Sequence, residues 1–186
     1  MPLFVYGPTG GGKSGVLSDV LASLDVPRAI VDCVACATPR ALYETCLNQL
    51  HDHRPCAANN YSSWCSCENP AQFVQGVPCP HPSQSGLPCC LRHRPPQRTL
   101  PPACPHVAPP PLHPLAGVRE VAQERGRVCL VFDRAERLQP QEKLLSTLLT
   151  LPTLVSLGRA GGRSYVLPIF VAEALWAGSG SGSGSG

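Results

Sequence analysis

Long apolar runs are missing from this sequence: no stretch approaches the ~18 consecutive apolar residues of a membrane-spanning helix, so no membrane partner is expected. A strong charge bias is missing too. Fifteen Lys and Arg against twelve Asp and Glu leave a net +3, which by itself gives no electrostatic footprint of nucleic-acid binding. Aromatics are scarce, at 5%, although hydrophobic residues reach an ordinary 43%. The opening Met1-Pro2-Leu3-Phe4-Val5-Tyr6 has neither a basic region nor a cleavage site. We therefore read no secretory signal there, and expect the eleven cysteines to be reduced thiols rather than a disulfide framework.

Proline is abundant and unevenly spread. Fourteen of the 22 prolines fall between Pro70 and Pro114, and all six His and seven of the eleven Cys lie between residues 51 and 114. At 186 residues there is room for one domain with a long insertion. Residues 1–50 and 115–177 are expected to be the two halves of a core. Residues 51–114 are read as a Pro/Cys/His-rich insertion, mostly disordered, in which only Asn69 to Val77 could pack as a helical turn or two. Residues 178–186 alternate Gly and Ser, a flexible tail by composition.

Within the core, short apolar strands alternate with helical patterns. Leu3–Tyr6, Arg28–Cys33, Val128–Phe132 and Val166–Val171 read as strands. Pro168 demotes the last to a strand start or an irregular edge. Helices are expected from Lys13 to Leu24, with Val16, Leu17, Val20, Leu21 and Leu24 at helical spacing, and from Pro39 through Leu50, with Thr38 as N-cap. Two more are expected over Leu115–Glu124 and Gln141–Leu151. The alternation predicts an α/β fold, a parallel sheet sandwiched by helices.

The chemistry concentrates in Gly7-Pro8-Thr9-Gly10-Gly11-Gly12-Lys13-Ser14, a complete phosphate-loop pattern between a strand and an amphipathic helix. Glycines let backbone N–H groups converge on a β-phosphate, and the helix N-terminus adds partial positive charge. Lys13 is expected to reach the β- and γ-phosphates, and the Ser14 hydroxyl to coordinate Mg²⁺. The run Val128-Cys129-Leu130-Val131-Phe132-Asp133 fits a Walker B strand, with Asp133 at the C-terminal end holding the Mg²⁺ shell opposite Ser14. Many hydrolysing members of this class place a Glu next, as the base for the attacking water. Here that position is Arg134, and Glu136 is expected to face solvent or a salt bridge. The site reads as able to bind ATP and impaired in hydrolysis.

Phe4-Val5-Tyr6-Gly7, Asp32-Cys33-Val34-Ala35-Cys36, Val131-Phe132-Asp133-Arg134-Ala135-Glu136 and Phe170-Val171-Ala172-Glu173-Ala174-Leu175-Trp176 resemble the subunit 5 family of the eukaryotic origin recognition complex. The matches run in order over roughly residues 3–50 and 115–177. The resemblance implies a P-loop NTPase of the AAA+ type, ATP as an assembly ligand, a nuclear location, the other origin recognition complex subunits as partners, and DNA contact through that complex. It also implies a basic residue after the Walker B Asp. The family's helical lid and winged-helix domain have no counterpart here, so a truncated, incomplete core is expected. The family's polar sensor position corresponds to Ala172, which cannot hydrogen-bond a γ-phosphate.

Other readings stay open. The Gly7-Pro8-Thr9-Gly10 loop also occurs in tRNA prenyl-transferring enzymes, so a small P-loop kinase or transferase is one alternative, and a non-binding scaffold fragment is another. Cys33 and Cys36 are expected to be buried or half-buried thiols rather than a redox pair. Cys65, Cys67, Cys79, His81, Cys89, Cys90, His93, Cys104 and His106 tempt a zinc assignment, but their spacers vary and are saturated with proline. Arg92, Arg94 and Arg98 form a modest basic run, read as a solvated loop.

Overall fold

The computed structural model describes residues 1–57, 60–76, 117–156 and 165–173. The proline-rich stretch from 77 to 114, with Arg92, Arg94, Arg98 and the Cys and His from Cys79 to His106, lies outside the described residues, as does the Gly/Ser tail.

Four strands form one parallel sheet: β1 (Leu3–Tyr6), β2 (Arg28–Asp32), β3 (Arg127–Asp133) and β4 (Tyr165–Ala172), in the order β1-β4-β3-β2. Between them run α1 (Lys13–Ser23), α2 (Pro39–Leu50), α3 (Pro70–Gln75), α4 (Val118–Arg125), a 3-10 turn (Ala135–Leu138) and α5 (Glu142–Ser156). This is the α/β parallel sheet expected from the sequence, compatible with a partial P-loop architecture.

Strand alternation sorts side chains onto two faces, and the central strands are apolar on both. On one face Ala29, Val31, Leu130, Phe132, Val166 and Phe170 meet the buried sides of α2, α3, α4 and α5. Rings of Phe4, Phe170 and Phe132 stack in a row across β1, β4 and β3, with centroids 5.2 and 5.3 Å apart. On the other face Cys129, Val131, Ile169 and Val171 are covered by Leu21 of α1, with Leu17 partly buried beside it. The second layer is thin. Val16, Val20 and Leu24, grouped with Leu17 and Leu21 by the sequence period, stay 64%, 50% and 47% exposed.

Two elements differ from expectation for identifiable reasons. Pro168 sits in a central strand, not an edge, yet β1's ladder begins one residue later, at Leu3 opposite Ile169, while Pro168 pairs with Leu130. At that residue β4 has a strand neighbour on one side only, the local situation in which Pro is tolerated. Helix α5 runs past Pro152 to Ser156. Burial of Leu151 and Val155 holds the last turn, and Arg119 Nη2 donates to the Leu154 carbonyl at 2.6 Å.

Packing also reaches earlier into the insertion than Asn69. Ser63 Oγ donates to Glu44 at 2.8 Å, the Trp64 N–H donates to Asn48 Oδ1 at 2.6 Å, and Cys65 and Cys67 are buried. Helix α3, capped by Asn69 with Pro70 following, adds Phe73 stacked on Tyr43 at 4.6 Å. Its end meets the start of α4 so closely that a Cβ on Gly117 would lie 2.2 Å from the Gly76 nitrogen.

Candidate functional site

The loop from β1 to α1 and the C-terminal ends of β3 and β4 enclose a cleft of about 280 Å³. Thr9, Gly10, Gly11, Gly12, Lys13, Ser14 and Gly15 form one wall; Asp133, Arg134, Glu136, Val171, Ala172 and Glu173 form the other. Crevices beyond the carboxyl ends of parallel strands are where open α/β sheets hold ligands.

Local chemistry shapes the loop. Gly10 and Gly12 adopt left-handed φ values of 78° and 73°, which a side chain would strain. The Gly11 N–H donates to the Pro8 carbonyl at 3.2 Å. Gly12 is the N-cap of α1 and no side chain caps that end, so the first-turn N–H groups stay available to an anion. The Lys13 ammonium donates to the carbonyls of Gly7 and Pro8 at 2.8 and 2.9 Å, which holds it across the mouth of the loop.

Across the cleft, Asp133 ends β3 in register with Asp32 of β2 and Val171 of β4. Its carbonyl accepts the Cys33 N–H at 3.0 Å, fastening the β2 exit turn to the site. Arg134 follows in a left-handed conformation, φ 56°, which costs a non-glycine residue about 1–2 kcal/mol. Its N–H donates to Asp133 Oδ1 at 3.0 Å, and its guanidinium forms an ion pair with Asp32. The other Asp32 oxygen accepts the Val34 N–H at 2.9 Å.

Of the nine residues proposed from the sequence for phosphate and metal contact, seven, Thr9 to Ser14 and Asp133, line one cleft, while Gly7 and Pro8 adjoin it through the carbonyls that accept from Lys13. Glu136 differs from expectation. The 3-10 turn brings it into the cleft wall, with Oε2 buried and lacking a hydrogen-bond partner. Glu173 lines the wall too, and Asp32 engages Arg134. A signal for Asp32 was present: two strands each ending in Asp, once paired in parallel, bring those carboxylates side by side.

The cleft side chains suit a hard divalent cation. A hydroxyl, Ser14, and the carboxylates of Asp133 and Glu136 are oxygen donors of the kind Mg²⁺ takes, and the orphaned Glu136 oxygen marks an anion that protein donors leave unsatisfied. The acidic side chains sit on one wall, Asp133, Glu136 and Glu173, facing Lys13 and the uncapped start of α1 on the other.

Beside the cleft lies a thiol cluster. Burial pushes the Cys33 thiol up to about 12, with Cys36, Asp133 and Glu136 adding to the shift. Cys67 is raised to about 12 by burial and Glu44, and Cys46 well above its ordinary value by burial and its neighbours Cys36, Cys33 and Cys67. Such thiols stay protonated and are weak nucleophiles. Both Cys33 and Cys36 are buried, as expected.

No family model matches the chain. Two curated relatives do align. The Arabidopsis thaliana protein named Origin of replication complex subunit 5 is 40% identical over 74 residues, 40% of this chain and 14% of that protein. The Homo sapiens Origin recognition complex subunit 5 is 37% identical over 73 residues, 39% of this chain and 17% of that protein. The chain is a partial relative of origin recognition complex subunit 5. The matched stretch spans less than a fifth of the length of either relative. Among the described residues no helix is long and apolar enough to cross a membrane.

Proposed function

We propose that the chain is the nucleotide-binding core of an AAA+ protein of the subunit 5 kind, holding ATP with Mg²⁺ and acting in replication initiation through assembly, with little or no turnover. The observation that carries this reading is the single cleft shared by the glycine loop, Lys13, Ser14 and Asp133. Free N–H groups at the start of α1 would receive the β-phosphate. Lys13 would exchange its carbonyl partners, Gly7 and Pro8, for phosphate oxygens. Ser14 and Asp133 would hold the metal from opposite walls, and the bound cation would neutralise phosphate charge.

Arg134 occupies the position of the usual base and cannot accept a proton. Ala172, in the cleft wall, offers no side-chain hydrogen bond to a γ-phosphate. Both favour retention of ATP over hydrolysis. Nucleotide then acts by stabilising the conformation that partner subunits bind. The partners are the other origin recognition complex subunits, with DNA contacted through the complex, in the nucleus. A second reading, slow hydrolysis, is favoured by one observation, the unpartnered carboxylate oxygen of Glu136 in the cleft wall.

The test is a comparison of the full chain with Lys13→Ala. We expect micromolar binding of MgATP without multiple turnover, and loss of binding in the variant with an unchanged melting temperature. Robust steady-state phosphate release, abolished by Glu136→Gln, would replace the assembly reading with the hydrolytic one.

A further inference from the structure

Arg134 belongs to the cleft by position but not by its present partner. Its residue lines the wall facing the glycine loop, yet its guanidinium is drawn away from that loop, to Asp32 at the end of β2. The sheet order places β4 between the loop-bearing β1 and β3, so the loop and Arg134 stand two strand spacings apart, about 10 Å. A triphosphate seated on the loop would extend its terminal group into that gap.

We propose that Arg134 is the residue by which this site distinguishes a nucleoside triphosphate from a diphosphate, its guanidinium leaving Asp32 to bind the γ-phosphate. The proposal rests on the nucleotide-binding reading above and adds the specificity of the site. Three observations carry it. The ion pair with Asp32 is half-exposed, 47% and 37% for the two side chains, and exposed pairs contribute little in water, so the partner exchange faces a small barrier in free energy. Asp32 keeps a second bond, to the Val34 N–H, and does not lose all its partners when Arg134 departs. Within the cleft, Arg134 and Lys13 are the cations among the lining residues. Lys13, at the loop mouth, is placed for phosphates common to both nucleotides, and the planar guanidinium fork suits an additional terminal phosphate.

The exchange also links nucleotide state to the β2 exit. With diphosphate bound, Arg134 ties the ends of β3 and β2 together; with triphosphate bound, that tie opens and Asp32 faces solvent or a partner protein.

Isothermal titration of the full chain with MgATP and MgADP tests this, for wild type, Arg134→Gln and Asp32→Asn, each checked for folding by circular dichroism. A charge-assisted hydrogen-bond pair to phosphate is worth about tenfold in affinity, so wild type is expected to prefer ATP by about that factor. Arg134→Gln should bring the ratio close to one. Asp32→Asn, which leaves the arginine in place and frees it, should raise the ratio above wild type. Equal affinities in wild type, or a ratio unmoved by both substitutions, overturns the role of Arg134 while nucleotide binding stands. Absence of binding of either nucleotide to wild type overturns the nucleotide reading and this proposal with it.

Discussion

Cys33, Cys46 and Cys67 show how burial governs chemistry residue by residue. All three thiols are held protonated, Cys33 and Cys67 up to about 12, against an ordinary value of 9.0. A raised folded-state value stabilises the fold fully below the unfolded value and loses that stabilisation as pH climbs through the folded one. We therefore expect stability to hold up to about pH 9 and then fall towards pH 12, by at most about 1.4 kcal/mol per pH unit for each such thiol. Urea midpoints measured at intervals from pH 7 to 11 check this; a midpoint that stays level above pH 9 contradicts it. At this scale the meeting of the glycine loop and Asp133 at one cleft was readable in advance. Gly7 to Ser14 and Asp133 carry residue types whose chemistry is nearly independent of context. Glu136 was not readable, because the left-handed Arg134 redirects the chain into a 3-10 turn, and helical spacing gives no hint of that redirection.

Elements are held by specific devices as well as by apolar burial. Edge strand β2 has its open side met by Gln49, whose amide accepts the Ile30 N–H at 2.7 Å and donates to the Ile30 carbonyl at 2.8 Å. One side chain thereby mimics a neighbouring strand and blunts an edge that would otherwise recruit another chain. The junction of α3 with α4 depends on Gly117, where any side chain would strike the backbone of residues 74–76. Gly117→Ala is expected to destabilise by about 1–3 kcal/mol through forced displacement, read as a lower melting temperature with Gly117→Ser at least as severe; an unchanged melting temperature in both contradicts this packing. Helix α2 was evident from Thr38 and Pro39, and its cap bond, Ala41 N–H to Thr38 Oγ1 at 3.2 Å, is present. The continuation of α5 past Pro152 was not evident, since it depends on Arg119, 35 residues away, and no local pattern encodes that partner. Cys65 and Cys67 were hidden for the same reason: polar anchors on α2, Glu44 and Asn48, hold a stretch whose own composition is poor in core formers.

At the scale of the whole molecule the two faces of the sheet are unequal. Among the described residues, four helices bury one face, while α1 is the helix that covers the other. Leu3, Phe4 and Tyr6 of β1 and Val16, Val20 and Leu24 of α1 remain exposed, beside the loop that forms the cleft. Parallel alternation in the sequence foretold a two-sided sheet; it could not foretell that β1 would stand at the edge, because strand order depends on tertiary pairing. The same order brings the glycine loop and Asp133 to one crevice from opposite ends of the chain. On the proposed reading, the acidic side chains of that crevice, Asp133, Glu136 and Glu173, make metal a condition of nucleotide binding. Titration of the full chain with ATP, in excess Mg²⁺ and again in excess chelator, tests it most directly. We expect micromolar affinity with the metal and a loss of at least about tenfold without it. Equal affinity in both conditions, or no binding at millimolar ATP with Mg²⁺ present, would contradict it.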